Sequence, residues 1–169
     1  LTVGCFVFGR NPKSPVNRAL LVLAALFALW ALVGAVIWSP GLGADIVIWG
    51  RLGHAVAVFL WAGFVSLVLV YPEGEARTSL ALRLMVWVTA GTVTVATVLT
   101  PDLIREARIE NGQLRATYGP LVFAYFGCIV LLLTWGIAEM LYRRKHSRGV
   151  RRVQIEYLLT GLALTGLAP

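Results

Sequence analysis

Charged side chains are scarce in this sequence. Only 14% of its 169 residues are Asp, Glu, Lys or Arg, whereas 59% are hydrophobic and the mean hydropathy is +0.80. A water-soluble domain carries about 25% charged residues, so a soluble fold of this composition would leave much apolar side chain in water. The composition therefore excludes a soluble domain and favours a protein that is embedded in lipid.

Motifs that mark catalysis or metal binding are also missing. The sequence has no Walker loop, no GxSxG, no HExxH, no cluster of aspartates and no glycine-rich nucleotide motif. Cys5 and Cys128 lie in apolar runs without CxxC spacing, and we predict that both are small buried hydrophobic residues. Paired haem ligands are not expected, because His146 lies in a basic loop. We predict no catalytic residue, no metal site and no cofactor.

Long apolar runs are what the sequence has instead. They are continuous and exceed the roughly 9 to 11 residues of a membrane β-strand, so they predict helices. We expect one all-α transmembrane domain over residues 1–169, a polytopic helix bundle with four complete spans. The predicted spans are residues 1–8 (partial), 19–38, 46–71, 80–100, 119–142 and 153–169 (partial). Because the first and last runs are short, we expect the natural protein to extend in both directions.

The positions of the cations predict the topology. A net charge of +7 is typical of nucleic-acid binding in soluble proteins, but in membrane proteins Lys and Arg collect in cytoplasmic loops. If the spans cross the membrane in turn, eleven of the fifteen Lys and Arg residues lie on the membrane side that holds residues 9–18, 73–79 and 143–152. The other four lie on the opposite side. We predict that these three loops face the cytoplasm, that the protein lies in the bacterial inner membrane, and that it binds no nucleic acid.

Two features of the fourth span and of the polar segment after it predict local structure. Asn111-Gly112 separates two short alternating arms and accepts the positive φ of a type I′ turn. We therefore expect residues 105–118 to form a hairpin over the outer end of the bundle. Threonines recur along the fourth span, and we expect their face to turn inward, away from lipid. They are Thr89, Thr92, Thr94 and Thr97.

Ionisable groups within the spans are candidates for function, because burying them without a partner is costly. Trp49, Arg51 and His54 place an indole, a cation and an imidazole within two helical turns, beside the longest outer loop. Polar groups and an apolar wall can converge there, so we predict a ligand-binding site for a stimulus. The alternative interpretation is that Arg51 and His54 mark the boundary with water.

The other ionisable groups have simpler interpretations. Glu139 and Arg143, and likewise Arg152 and Glu156, have the i,i+4 spacing of helical ion pairs, and we predict structural anchors. Arg83, near the inner end of the fourth span, is expected to extend toward the lipid headgroups.

The order and spacing of several segments resemble the seven-helix N-terminal module of bacterial sensor histidine kinases. The segments are residues 9–18, Leu29-Trp30-Ala31-Leu32, Trp49-Gly50-Arg51-Leu52, residues 64–72, Tyr118-Gly119-Pro120 and residues 148–154. In that family seven helices with an outer N-terminus pass a signal through the last helix into cytoplasmic PAS, kinase or cyclase domains. The resemblance implies that the chain holds one partial helix, four complete helices and a second partial helix of such a module, without the seventh.

Two functions remain open from the sequence. The first is a membrane-embedded signal-input module of a bacterial histidine kinase-like signalling protein, itself not catalytic, which responds to an unknown small-molecule stimulus. The second is an accessory or scaffold subunit of a larger membrane complex. A transporter is disfavoured, because broken helices with polar groups at the midplane are missing. The expected partners are the lipid bilayer and either a second copy, in a homodimer, or a larger membrane complex.

Overall fold

The computed structural model of the chain describes residues 1–39, 46–72, 80–110 and 113–167. These residues form six helices and one antiparallel pair of strands. In chain order the elements are α1 (Thr2–Arg10), α2 (Pro15–Ile37), α3 (Ile46–Val70), α4 (Leu80–Leu99), β1 (Ile104–Glu110), β2 (Gln113–Tyr118), α5 (Leu121–His146) and α6 (Val150–Leu167). Helices α2, α3, α4 and α5 are long and apolar enough to cross a membrane, so the predicted all-α membrane bundle is confirmed.

Helix α3 is the centre of the bundle. Among the most apolar 18 residues of each spanning helix, 67% are buried in α3, against 6% to 17% in the other three. Helix α3 packs against α2, α4, α5 and β1, and Val58 and Val65 of α3 have almost no solvent contact. The close packing of α5 on α3 favours glycine at position 136 of α5, because a Cβ there would lie 2.6 Å from Cε1 of Phe64 in α3. The other spanning helices therefore keep an apolar face for lipid, while α3 is surrounded by protein.

The turn between α1 and α2 is shorter than predicted. Helix α1 continues to Arg10, and α2 begins at Pro15 rather than at Ala19. The earlier start follows from local chemistry, because the Ser14 hydroxyl accepts a hydrogen bond from the Asn17 amide at 3.4 Å and proline fits the first position of a helix. The apolar run alone does not contain this capping signal.

Side chains of α2 close this turn from within. Asn17 Nδ2 donates to the carbonyl oxygens of Val7 and Asn11, both at 3.0 Å. Arg18 Nε donates to the carbonyl oxygen of Pro12 at 2.8 Å. Three backbone carbonyls at the end of α1 and in the turn therefore accept hydrogen bonds from side chains of α2.

Helix α1 packs on α2 through Gly4. A Cβ at Gly4 would lie 2.8 Å from the Cβ of Ala24, so the two helices touch there. The neighbouring Cys5 is exposed, and the prediction that it is buried is wrong, because α1 contacts the rest of the chain through the face of Gly4. Cys128 of α5 is partly buried.

The basic segment before the last helix is mostly helical. Helix α5 runs beyond the predicted end at Tyr142 to His146, and α6 begins at Val150 rather than Val153. Arg and Lys are good helix formers, and cations in the last turn complement the helix dipole, so the basic residues extend α5. Gly149, with φ +59°, allows the chain to reverse between the helices.

The predicted hairpin is confirmed by the pairing of β1 and β2. Ile109 pairs with Leu114 and Glu110 with Gln113 in an antiparallel register. The turn at residues 111–112 lies outside the described residues. The same holds for most of the predicted outer turn (residues 40–45), for the predicted loop at residues 73–79 and for residues 168–169.

The threonines of α4 divide between two faces. Thr97 is fully buried, and the Thr94 hydroxyl donates to a backbone carbonyl of α3 at 3.5 Å. Thr89 and Thr92 are exposed, so the prediction of a common inward face is wrong for these two. At 3.6 residues per turn Thr92 lies nearly opposite Thr94, and the four positions cannot share one face.

Candidate ligand-binding cleft

A cleft of about 370 Å³ opens at the N-terminal end of α3. Helices α2, α3 and α5 and both strands of the hairpin form its walls. The lining residues are Trp30, Ala31, Val33, Gly34, Ile37, Ile46, Gly50, Gly53, His54, Ala57, Ile104, Ala107, Ala116, Tyr118 and Tyr125. Most of this surface is apolar, and its polar groups are one imidazole, two phenols and the indole N–H of Trp30.

Small residues account for the space between α2 and α3. Gly50, Gly53 and Ala57 follow one another at three- and four-residue steps, so they share one face of α3. Gly34 lines the cleft from α2, and a Cβ there would meet nothing within 4 Å. No side chain longer than a methyl group projects from these positions, so the space between α2 and α3 stays open as the cleft.

His54 supplies the imidazole of the cleft. Its Nδ1 lies 2.8 Å from the carbonyl oxygen of Gly50, one turn earlier in α3. A carbonyl oxygen only accepts hydrogen bonds, so this contact places the proton of the neutral ring on Nδ1. In that tautomer the other nitrogen, Nε2, is a hydrogen-bond acceptor.

Two tyrosines hold the region around His54. The Tyr125 hydroxyl donates to the backbone carbonyl of His54 at 3.1 Å, and the two ring centroids are 5.2 Å apart. The ring of Tyr118 meets the imidazole edge-on, with centroids 6.0 Å apart. Such aromatic contacts fix ring orientation. Helix α5 and strand β2 thus position a residue of α3.

Arg51 connects α3 to the hairpin. Its Nε and Nη2 donate to the carbonyl oxygen of Ile104 at 3.1 and 2.8 Å. The contact is close, because a Cβ on Gly50 would lie 3.2 Å from Cδ1 of Ile104. Arg51 is therefore a positioning residue for the strand that borders the cleft, and its side chain does not line the cleft.

The predicted site residues are thus only partly brought together. His54 lines the cleft, Arg51 holds one of its walls, and Trp49 is partly exposed and does not line it. In the described residues, no three His, Cys, Asp or Glu side chains cluster as metal ligands.

A backbone junction fixes the other end of the hairpin. The Gly119 amide donates to the carbonyl of Leu103 at 3.0 Å, and the Leu121 amide donates to the carbonyl of Asp102 at 3.1 Å. A Cβ on Gly119 would overlap the carbonyl oxygen of Asp102, so only glycine fits. The hairpin is therefore held at its base as well as by Arg51.

The C-terminal end of α3, opposite the cleft, is capped by Arg143 of α5. Its Nη1 donates to the carbonyl of Tyr71 at 2.9 Å, and its Nη2 donates to the carbonyl of Leu69 at 3.1 Å. Its Nε pairs with Glu139 at 2.7 Å, which confirms the predicted i,i+4 ion pair. Carbonyls at a helix C-terminus lack partners within the helix, and one guanidinium satisfies two of them here.

The same end of the bundle is joined to α6. The Tyr71 hydroxyl donates to the backbone carbonyl of Gln154 at 3.3 Å. Glu156 of α6 accepts from Arg144 at 2.9 Å and from Arg152 at 3.1 Å, and the second contact confirms the other predicted ion pair. Hydrogen bonds and ion pairs therefore link α3, α5 and α6 at this end.

Sequence reasoning missed most of the cleft walls. The spacing of Gly50, Gly53 and Ala57 was a usable signal, because small residues on one helical face leave space or allow close approach. Nothing in the sequence indicated that Gly34 of α2 and Tyr125 of α5 border the same space. Such pairings depend on how distant segments pack.

Comparison with known protein families identifies a match over almost the whole chain. The model of a family described as the N-terminal 7TM region of histidine kinase matches residues 1–168. No curated protein and no solved structure matches the chain. The matched range includes the cleft and both ends of α3.

Proposed function

This chain belongs to the family of N-terminal seven-transmembrane regions of histidine kinases, and we propose that it is the membrane-embedded signal-input module of a bacterial histidine kinase-like signalling protein. The observation that carries the proposal is the cleft beside His54 at one end of α3, whose opposite end is bonded to α5 and α6. In this role the chain receives a stimulus, and catalysis belongs to other parts of the signalling protein.

The lining of the cleft defines the class of stimulus. Its volume of about 370 Å³ falls within the range of small-molecule sites, and its walls are mostly aliphatic and aromatic. His54 Nε2 in the neutral ring offers a hydrogen-bond acceptor, Tyr118 offers a hydroxyl and Trp30 offers an indole N–H. The ligand is therefore a small, mainly apolar molecule with one or two polar groups, of a kind that partitions into or near the membrane.

The orientation follows from the cations. The ends of α3, α5 and α6 that meet at Tyr71, Arg143 and Gln154 lie beside the densest basic segment, which faces the cytoplasm by the positive-inside rule. The cleft is then at the outer end of the bundle in the bacterial inner membrane.

Transmission uses α3 as the connecting element. A ligand favours one of two packings only if it binds them with different affinity, and here ligand contacts fall on α2, α3, α5 and the hairpin. A shift or rotation of α3 relative to α5 moves the carbonyls held by Arg143 and the hydroxyl of Tyr71 that is bonded to α6. The stimulus therefore changes the position of α6.

Filling the cleft tests this function. We would replace Gly34→Leu in the full-length protein, since Gly34 lines the cleft and a Cβ there meets nothing within 4 Å, and use Gly91→Leu of α4 as the control. Gly91 likewise has nothing within 4 Å of a Cβ position but does not line the cleft. Kinase autophosphorylation is measured in membrane vesicles at equal abundance, with and without a small-molecule extract of the source cells.

The sensor function predicts that the Gly34→Leu protein gives a fixed output that the extract does not change, while the Gly91→Leu protein responds like the wild type. His54→Ala is expected to weaken the response about tenfold, because one hydrogen bond to the ligand is lost. Equal responses from the Gly34→Leu and Gly91→Leu proteins would contradict the proposal and favour a scaffold role.

A further inference from the structure

Two buried side-chain atoms, one on α3 and one on α4, have no hydrogen-bond partner among the residues that the structure describes. They are Oγ of Ser66 and Nε of Arg83. Buried polar groups are almost always paired, and one that is not requires an explanation such as a bound ion or ligand. An unpaired cationic group is the stronger case, because removing its charge from water is more costly than burying a hydroxyl.

The helix register places these two residues at the same depth. The Thr94 hydroxyl donates to the carbonyl of Ala55, which fixes how the antiparallel helices α3 and α4 are aligned. Ser66 lies eleven residues after Ala55 (66 minus 55), and Arg83 lies eleven residues before Thr94 (94 minus 83). Eleven residues are slightly more than three helical turns, so both positions return to the contact face at a common level.

Aromatic packing closes the interface on the side nearer the bundle centre. The rings of Phe59 and Trp87 contact each other, with centroids 6.0 Å apart. Trp87 follows Arg83 by one turn, so Arg83 and Ser66 lie beyond this contact, toward the end of the membrane span. Ser66 is close to the last residue of α3, Val70.

The electrostatics favour an anion at this level. Arg83 lies at the start of α4, and the first turn of α4 contains no acidic residue. The N-terminus of a helix is already positive, so an unpaired arginine there is unfavourable unless an anion is close. A guanidinium pairs best with planar or tetrahedral oxyanions, to which it donates several hydrogen bonds at once.

We propose that Arg83 and Ser66 form a phosphate-binding site at the α3–α4 interface, and that its occupant is the phosphate group of an anionic membrane lipid. Leu84 and Val88 of α4 are exposed and offer an apolar surface for the acyl chains beside the site. By the predicted topology the lipid belongs to the cytoplasmic leaflet. The site is distant from the cleft and does not depend on the sensor function.

Native mass spectrometry of the full chain in detergent tests the proposal. The chain is titrated separately with phosphatidylglycerol, phosphatidylcholine and inorganic phosphate. The variants are Arg83→Gln, Arg83→Lys and Ser66→Ala, and the control is Arg148→Gln. Arg148 is an exposed cation, so the control removes the same charge without changing the interface.

We expect Arg83→Gln to weaken phosphatidylglycerol binding about tenfold, Ser66→Ala about threefold, and Arg83→Lys by an intermediate factor. Arg148→Gln should change it less than about twofold. Phosphatidylglycerol should also raise the melting temperature of the wild type but not that of Arg83→Gln, which separates lost binding from lost folding. Equal losses in Arg83→Gln and Arg148→Gln, or none in either, would overturn the site. Binding of inorganic phosphate without phosphatidylglycerol would overturn the lipid as its source.

Discussion

At its N-terminal end α3 carries glycines and borders the cleft beside His54, whereas at its C-terminal end its carbonyls are held by Arg143. The first end is held by side-chain hydrogen bonds from Arg51 to β1 and from Tyr125 of α5 to the His54 carbonyl. At the second end Arg143 of α5 donates to the Leu69 and Tyr71 carbonyls, and the Tyr71 hydroxyl donates to α6. One helix therefore combines an end with space for a ligand and an end that is bonded to its neighbours.

The difference between the two ends shows how one helix can border a ligand cleft and also be connected to other helices. Space for a ligand requires small side chains, and these weaken local packing because a glycine contributes no buried surface. A firm connection requires charged groups with several hydrogen bonds in a partly dry environment. In α3, which has 25 residues, the glycine-lined cleft and the carbonyls held by Arg143 lie at opposite ends.

Loss of Arg143 should have the largest effect on stability. Arg143→Ala leaves two carbonyls and the Glu139 carboxylate without their partner, and we expect the free energy of unfolding to fall by about 3 to 5 kcal/mol. Denaturant titration in mixed micelles measures the change. Lys145→Ala, at an exposed neighbouring position, is the control. A loss no larger than that of the control would show that the C-terminal end of α3 is not the firmly held one.

Gly119→Ala should be the next most destabilising change. The new methyl group overlaps the Asp102 carbonyl oxygen and forces the backbone to move, at an expected cost of about 3 kcal/mol. Gly127→Ala of α5 is a matched control, since nothing lies within 4 Å and alanine is favoured in a helix by about 1 kcal/mol. Thermal unfolding followed by circular dichroism compares the two. A stable Gly119→Ala protein would mean that the base of the hairpin is not tightly fixed.

Removing Arg51 should loosen the hairpin rather than the whole bundle. Arg51→Ala deletes two hydrogen bonds to Ile104, with an expected loss of about 2 kcal/mol that is concentrated in β1. Hydrogen exchange of the β1 amides should become faster, while exchange in the C-terminal half of α3 stays unchanged. Arg105→Ala, an exposed cation on β1, should leave these rates unaltered. Uniformly faster exchange throughout α3 would contradict the separation of the two ends.

The smallest effect is expected at Glu156. Its ion pairs with Arg144 and Arg152 are exposed to solvent, so Glu156→Gln should lower the free energy of unfolding less than any of the three changes above. The same titration used for Arg143→Ala provides the measurement. A loss comparable to that of Arg143→Ala would place the main connection to α6 at this carboxylate.

Local signals in the sequence were sufficient for much of the fold. Continuous apolar runs predicted the spanning helices, Asn111-Gly112 predicted the hairpin, and i,i+4 spacing predicted both ion pairs. Helix ends were less accurate, because Ser14 and the basic residues after Tyr142 act through capping and the helix dipole rather than through hydrophobicity.

The candidate site was harder to predict because it is assembled from distant segments. His54 stood out as an ionisable residue near the start of a span, but the roles of Gly34 and Tyr125 depend on which helices pack side by side. Arg51 illustrates the difficulty: its charge suggested a ligand group, and its actual partner is a backbone carbonyl of the hairpin. Hydropathy patterns show which helix faces avoid water, but they do not show which helices pack against each other.

The turn between α1 and α2 has a consequence for the order of assembly. Its hydrogen bonds, from Asn17 to Val7 and Asn11, from Arg18 to Pro12 and from the Asn17 amide to Ser14, join residues at most ten positions apart. Contacts of such short sequence separation cost little chain entropy and form quickly. The pair α1 and α2 can therefore reach its final arrangement while α3 is still being synthesised, and offers the central helix a finished surface on which to dock.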